Sequence, residues 1–179
     1  SAALAMSHMS ATGVSGLDLY IRAADGQWRW AGCGRPEQFP DNEVQLVAGL
    51  DPKPREYLLY LPLYNGVTRV AVGVPEGAAW TPAPARPALH RLPIVFYGTS
   101  ICQGGCATRP GMAHVALLGR WLDWHVNNLG FSGNGTMDLE VAELMAQIDA
   151  AAYVIDCLPN MSAEQVAERT APLVGALRR

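Results

Sequence analysis

One serine lies where a parallel-sheet protein could expose a nucleophile. Ser100 follows Gly98 and Thr99 at the end of the short apolar run 94–97 and begins a glycine-rich turn. A serine in such a turn often only caps it through its hydroxyl group. The hydroxyl attacks a carbonyl carbon when a base accepts its proton and a substrate can reach it. Exposure between a strand and a helix meets the second need, so we predict that Ser100 is a nucleophile.

Two later segments place hydrogen-bond donors after further apolar runs. The glycine-rich residues 128–135 follow the strand-like residues 124–127, and Asn160 follows the run 153–158. The carboxyl ends of parallel strands in an open sheet converge on one crevice. Backbone N–H groups and a side-chain amide in that crevice can stabilise the oxyanion of an acyl-transfer reaction. The spacing therefore predicts an acyl-transfer site.

These segments, in this order, resemble the SGNH (GDSL-like) hydrolase superfamily, which is named after its Ser, Gly, Asn and His blocks. Residues 98–100 are similar to the serine block, 130–134 to the glycine block and 156–160 to a variant of the asparagine block. Residues 16–20, Gly-Leu-Asp-Leu-Tyr, match the G-x-D-L-Y signature of a β-rich domain that precedes a subgroup of these hydrolases. Two independent markers in the expected order indicate a member of this superfamily.

The resemblance implies a role for each block. Ser100 would be the nucleophile, and its N–H group, the Gly133 N–H group and the Asn160 side-chain amide would form the oxyanion hole. From the residues alone, Gly133 also suits a tight loop with positive φ, and Asn160 also suits a local turn hydrogen bond. Asn134 either caps its loop or contacts substrate, and we include it as a candidate substrate-binding residue. This chemistry needs only a base and an oxyanion hole, so we expect no metal and no cofactor.

The general base is missing from the pattern. The family takes it from an Asp-x-x-His block near the C-terminus, and none of the four histidines follows Asn160 or has that context. His114 lies in a predicted helix and His125 opens a predicted strand, where packing is the more ordinary role. We expect residues 1–179 to be an internal fragment that alone lacks its proton acceptor and is inactive, with the missing C-terminal segment of the same polypeptide as its partner.

Composition narrows the function classes. The 179 residues are 50% hydrophobic with a formal net charge of −3, which favours a folded chain without a basic surface for nucleic acid or anionic lipid. No apolar run approaches the roughly 18 residues of a membrane span. Cys102, Cys106 and His114 match no common zinc spacing, so buried thiols are the simpler interpretation. We therefore expect an acyl ester of a small molecule or glycan as the partner, and nothing in the sequence indicates a compartment.

The N-terminal part, residues 1–80, is predicted to be an antiparallel, sandwich-like β domain. Alternating apolar residues in 17–21 lead to the turn pair Asp25-Gly26, which predicts a hairpin. A second hairpin is predicted from 57–64 and 70–74 around Asn65-Gly66. The proline-rich residues 81–90 are predicted to be an extended linker.

Residues 91–179 alternate between strand and helix patterns, which predicts an α/β domain with a parallel sheet. The resemblance implies that this domain is a truncated, flavodoxin-like SGNH domain. The predicted strands are 94–97, 125–128 and 153–158, and a helix is predicted near 112–122. A second helix should bury Val141, Leu144, Met145 and Ile148. The last helix should begin at Ser162, with a capping box to Gln165. Its buried face should contain Val166, Thr170, Leu173 and Leu177. Pro172 should kink the helix or restart it.

Two functions follow from this pattern. The first is an SGNH-type serine esterase, for which the resemblance favours a carbohydrate acyl ester such as an acetylated glycan. The second is a non-catalytic carbohydrate-binding or pseudoenzyme module, in which the β domain binds and the α/β part is scaffold. Trp28 and Trp30 would suit sugar stacking, although aromatic residues on a strand are more often core residues.

Overall fold

The computed structural model describes residues 3–178, which divide into two compact units. The first unit contains the chain up to Arg86 and, in addition, Cys106–Gly111. The second contains Pro87–Gly105 and the chain from Met112 onwards. The six-residue segment 106–111, which lies within the predicted range 91–179, belongs to the first unit.

The first unit is built on a three-stranded antiparallel sheet. Its strands are β1 (Leu17–Arg22), β2 (Trp28–Gly34) and β3 (Tyr57–Tyr60), with β1 in the centre. A single helical turn, α1 (Ala11–Val14), precedes β1. The β1–β2 hairpin confirms the prediction from Asp25-Gly26, since Gly26 has the positive φ of 80° that a tight turn uses.

The second predicted hairpin is wrong. The strand β3 pairs with β1 instead of with residues 70–74, which form no strand. The turn pair is used differently, because the backbone N–H groups of Tyr64 and Asn65 both donate to the carbonyl of Val14. The Asn65 side chain also donates to Ser15 Oγ at 2.7 Å. Tertiary hydrogen bonds to the end of α1 have therefore replaced the local turn.

The second unit contains a three-stranded parallel sheet, which confirms the α/β prediction. Its central strand β4 (Ile94–Gly98) lies between β5 (Val126–Gly130) and β6 (Ala152–Asp156). Helices connect the strands, because parallel neighbours need a crossover. The core combines Val95 and Tyr97 of β4 with apolar residues from the helices.

The helices follow the predicted order. They are α2 (Ser100–Gln103), α3 (His114–Trp121), α4 (Leu139–Met145) and α5 (Ala163–Leu177). In α4 the residue Leu144 is 66% exposed, so its assignment to the buried face is wrong, and Ala142 is buried instead.

The last helix begins as the sequence predicts. Ser162 is the N-cap, and its capping box with Gln165 is present. The predicted restart at Pro172 is wrong, because α5 continues through it. Proline lacks the N–H group that would bond to the carbonyl of Glu168, but both residues are exposed and water can satisfy that carbonyl. Leu173 is buried as predicted, whereas Thr170 is exposed.

Candidate active site

The carboxyl ends of the three parallel strands lie side by side. Gly98 of β4 is in register with Gly130 of β5 and with Asp156 of β6. Backbone hydrogen bonds continue this alignment beyond the strands, since Thr99 N donates to the Asp156 carbonyl at 3.2 Å and Phe131 N donates to the Gly98 carbonyl at 2.8 Å. The three predicted blocks therefore leave the sheet from one edge.

Ser100 is the first residue of α2 and is half-buried. The N-cap is Thr99, whose side chain accepts from Ile101 N at 3.3 Å, so the capping role does not fall to the Ser100 hydroxyl. The first N–H groups of a helix have no partner within the helix, which leaves the Ser100 N–H group suited to an external acceptor. The Ser100 carbonyl accepts from Gly105 N at 2.8 Å, which tightens the turn after α2.

Two glycines of the loop after β5 have positive φ for different reasons. Gly135, with φ of 71°, lies so close to Gly98 that an added Cβ would come within 2.2 Å of the Gly98 carbonyl oxygen. Gly133, with φ of 70°, is exposed, and an added Cβ would meet nothing within 4 Å. Packing therefore requires Gly135, whereas the backbone at Gly133 borders open space.

Asn160 links the third block to the second. It ends the short 3-10 helix Leu158–Asn160, and its Nδ2 atom donates to the backbone carbonyl of Asn134 at 2.5 Å. The side chain is thus held by a neighbouring loop and not by a turn of its own. Asn134 uses its own side-chain amide within its loop, donating to the Ser132 carbonyl at 3.2 Å. One N–H of the Asn160 amide is engaged in this way, and an amide nitrogen carries two.

Asn128, which was not predicted as an individual site residue, connects the glycine-rich loop to α2. It lies in β5, donates from Nδ2 to the Cys102 carbonyl in α2 at 3.0 Å and accepts from Gly130 N at 2.9 Å. Gly130 also lies against α2, because an added Cβ would come within 2.0 Å of Gln103 N. A polar residue inside a strand pattern is the only sequence signal for this role. The glycine loop and the helix of Ser100 are thereby tied together.

A second polar cluster holds the far end of the glycine loop. The hydroxyl of Tyr97, on β4, donates to Asp138 at 2.8 Å and accepts from Asp138 N at 3.1 Å. Thr136 donates its hydroxyl to the same carboxylate at 3.0 Å. Arg169 of α5 donates to the Thr136 carbonyl at 2.9 Å and lies 3.5 Å from Asp138. Tyr97, the pair Thr136 and Asp138, and Arg169 are far apart in sequence, and no motif marks them.

The directions in which the pKa values of Tyr97 and Asp138 are shifted agree with their hydrogen bonds. Burial raises the pKa of Tyr97 well above its ordinary value, so Tyr97 keeps the proton that it donates. Burial also raises the pKa of Asp138, but the hydrogen bonds from Tyr97 and Thr136 outweigh this and leave the net pKa below its ordinary value. Asp138 is therefore a carboxylate at neutral pH.

His114 and His125 both occupy packing positions in the second unit. His125 immediately precedes β5, so it lies at the amino end of the sheet, and a five-residue strand extends over roughly 16 Å. His114 is the first residue of α3, and its ring packs edge-on against Phe96 at 6.4 Å between ring centres. Both positions agree with the packing roles expected from the sequence.

The cysteines differ in burial. Cys102 and Cys157 are fully buried, as predicted, whereas Cys106 is exposed and Cys33 is half-buried. Burial raises the pKa of the Cys102 thiol to about 12 and also raises that of Cys157. Within residues 3–178 no group of three or more His, Cys, Asp or Glu residues is arranged to hold a metal ion. No helix in the same range has the length and apolar character of a membrane span.

Two family models match the chain in the order of its two parts. Residues 91–179 match the GDSL-like lipase/acylhydrolase family, and residues 1–80 match the N-terminal domain of SGNH-hydrolase-type esterases. The chain belongs to the SGNH (GDSL-like) hydrolases.

Two solved structures are similar to this chain. A protein described as a GDSL-like lipase from Bacteroides ovatus is 41% identical, with a TM-score of 0.87 over 97% of this chain and 50% of that one. The salicylyl-acyltransferase SsfX3 from a tetracycline biosynthetic pathway shares the fold at 18% identity, with a TM-score of 0.62 over 92% of this chain and 48% of that one. The chain thus spans about half the length of each. No functionally curated protein matches it significantly.

Proposed function

We propose that the polypeptide containing this chain is a serine acylhydrolase in which Ser100 is the nucleophile. Ser100 Oγ attacks the carbonyl carbon of an ester while a base takes its proton. The N–H groups of Ser100 and Gly133 and the amide of Asn160 hold the oxyanion that forms. The alcohol leaves with the proton, and water then releases the acyl group from the serine by the reverse sequence.

The register of the sheet carries this proposal. Gly98, Gly130 and Asp156 are side by side, so the serine, glycine and asparagine blocks begin at one edge. The hydrogen bond from Asn160 to the Asn134 carbonyl supports a shared location for two of the three blocks. The open space at Gly133 supports close approach of a substrate there, and Asn134 next to it is our candidate substrate-binding residue.

The proton acceptor is proposed to be a histidine outside residues 1–179. His125 lies at the opposite end of its strand from the glycine loop, and His114 packs against Phe96. A serine hydroxyl without a base is almost fully protonated near neutral pH. Residues 1–179 alone should therefore hydrolyse aryl acetates at least about a thousandfold more slowly than the longer polypeptide.

The proposed substrate class is an acyl ester of a carbohydrate, such as an acetylated glycan, and it rests on the G-x-D-L-Y resemblance. The rival function is a non-catalytic carbohydrate-binding module. In the β unit Trp28 packs against the Arg22 guanidinium at 5.3 Å and Trp30 against that of Arg109 at 4.7 Å. One face of each ring is therefore in use, which favours the esterase over sugar stacking on these rings.

The decisive experiment uses the longer polypeptide, an aryl acetate and a fluorophosphonate probe. Ser100→Ala should abolish labelling and leave only the weak catalysis of binding and the oxyanion hole. Ser7→Ala, at an exposed turn of the β unit, is the matched control and should react normally. Labelling and turnover that survive in Ser100→Ala would refute the proposed nucleophile. Inert wild-type protein would favour the rival module.

The oxyanion hole is tested separately. Asn160→Ala should lower kcat by about a hundredfold or more, because it removes a donor that acts mainly in the transition state. Asn134→Ala keeps the backbone carbonyl that positions Asn160 and should change KM more than kcat. An Asn160→Ala enzyme with normal kcat would exclude that side chain from the oxyanion hole.

A further inference from the structure

The G-x-D-L-Y motif has no part in the proposed reaction, yet its acid is fully buried. Asp18 lies in the central strand β1 with 0% of its surface exposed. Its Oδ1 atom accepts from Trp30 Nε1 at 2.9 Å, and its Oδ2 atom accepts from the backbone N–H of Gly111 at 2.8 Å. A buried carboxylate is expensive unless it is paired and hydrogen-bonded. The groups that donate to Asp18 therefore indicate the role of this residue.

Asp18 and residues 106–111 belong to the same compact unit. Arg109 Nε lies 3.4 Å from Asp18 Oδ1. At Gly111 an added Cβ would come within 2.7 Å of Asp18 Oδ2 and 2.4 Å of the Tyr20 ring. The Asp and the Tyr of the motif thus enclose a position that only glycine fits.

Two further contacts hold the same segment. Ser10 Oγ donates to the Thr108 carbonyl at 2.9 Å, and Thr12 Oγ1 donates to the same carbonyl at 2.5 Å. The Ala107 carbonyl lies against Gly13, where an added Cβ would be only 2.4 Å away. The β unit therefore fixes the backbone of the segment at both ends, and Asp18 contributes a negative charge that faces Arg109.

The anchored segment is close to Ser100 along the chain. Ser100 begins α2, and its carbonyl accepts from Gly104 N at 3.1 Å and from Gly105 N at 2.8 Å. Cys106, the next residue, is the first of the anchored segment. Only Cys106 separates the hydrogen-bonded turn at Gly105 from the Ala107 carbonyl, which lies against Gly13. Movement of the anchor would therefore be passed to α2 through covalent bonds.

We propose that Asp18 is a positioning residue for Ser100. By holding Arg109 and Gly111 it fixes the chain that leaves α2, and so limits the positions that the Ser100 hydroxyl can take. The proposal rests on the nucleophile assigned above. It gives the motif a task that a β domain with a purely binding role would not need.

The test compares Asp18→Asn with wild type in the longer polypeptide, with an aryl acetate as substrate. Asparagine keeps an oxygen acceptor but loses the charge that faces Arg109. We expect kcat to fall at least about tenfold while KM stays within about twofold, since a misplaced nucleophile affects attack more than binding. The rate of fluorophosphonate labelling should fall by a similar factor.

Two controls separate positioning from stability. Asp25→Asn removes an exposed carboxylate that pairs with Arg29 in the β1–β2 turn, and kcat should not change. Leu19→Ala removes a buried side chain next to Asp18 and should lower Tm, with kcat unchanged below the unfolding range. A loss of kcat in Leu19→Ala equal to that in Asp18→Asn would overturn the positioning role.

Arg109→Gln tests the same contact from the other side. We expect a fall in kcat, and the double variant with Asp18→Asn should be little worse than either single variant, because both remove one interaction. If Asp18→Asn does not fold, Arg109→Gln and its labelling rate carry the test. If folded Asp18→Asn has a normal kcat, the positioning role is refuted but the nucleophile is not. If Asp18→Asn does not fold, a normal kcat in Arg109→Gln has the same meaning. Turnover by Ser100→Ala refutes the nucleophile itself.

Discussion

Each compact unit uses a carboxylate to hold irregular backbone, but the two carboxylates lie at different depths. Asp18 of the β unit is fully buried and binds a backbone N–H, an indole N–H and Arg109. The side chain of Asp138 in the α/β unit is 39% exposed and binds a phenol, a threonine hydroxyl and Arg169. Both arrangements order a segment near Ser100 or Gly133 along the chain.

The two carboxylates differ in whether water can replace a hydrogen-bond partner that is removed. Water can reach Asp138 and take the place of one donor, so no single partner is essential there. Water cannot reach Asp18, so water does not replace a partner that is lost there, and the cost of removing one is high. The β unit should therefore respond strongly to single substitutions around its carboxylate, and the α/β unit weakly.

The largest effect is expected for Arg109→Met, which removes the cation that lies 3.4 Å from the buried Asp18 carboxylate. The free energy of unfolding of the β unit should fall by roughly 3 kcal/mol or more. Urea unfolding monitored by tryptophan fluorescence measures this. Arg29→Met, which breaks the exposed pair with Asp25, should leave the curve unchanged. If the two variants unfold at the same urea concentration, the buried carboxylate is no more sensitive to loss of its partner than the exposed one.

A smaller effect is expected for Arg169→Met in the α/β unit. It removes the donor to the Thr136 carbonyl and an ion pair with Asp138 whose partners are 35% and 39% exposed. The free energy of unfolding should fall by about 1 kcal/mol, and the difference from wild type should shrink in high salt. Urea unfolding at two salt concentrations measures both. A loss as large as that of Arg109→Met, independent of salt, would contradict the comparison.

The smallest effect concerns pH. The net pKa of folded Asp138 lies below its ordinary value, so its charged form stabilises the fold above about pH 4. This contribution is lost as the pH falls through the folded pKa, because the unfolded chain binds the proton first. Asp138→Asn should therefore show a weaker fall in Tm than wild type between about pH 5 and pH 2. Parallel Tm profiles would mean that the hydrogen bonds at Asp138 do not favour its ionised form.

Elements fixed by neighbouring residues were predicted correctly. The β1–β2 hairpin needs Asp25-Gly26 between two alternating runs, and the start of α5 needs Ser162 and Gln165. Each signal lies within a few residues of the structure that it specifies. The second hairpin failed for the opposite reason, because Asn65 is held by Val14 and Ser15, about fifty positions away in sequence.

The blocks around Ser100, Gly133 and Asn160 were predictable from the sequence because each follows an apolar strand. The carboxyl ends of parallel strands lie at one edge of the sheet. By itself the sequence therefore determined the family, the presence of an antiparallel and a parallel sheet, and the candidate residues. Only the tertiary structure decided that Asn160 bonds to Asn134, that Arg169 holds Thr136, and that Asp18 holds Gly111. Those contacts join segments that are distant in sequence. Their geometry depends on the packed positions of whole elements, which no local pattern encodes.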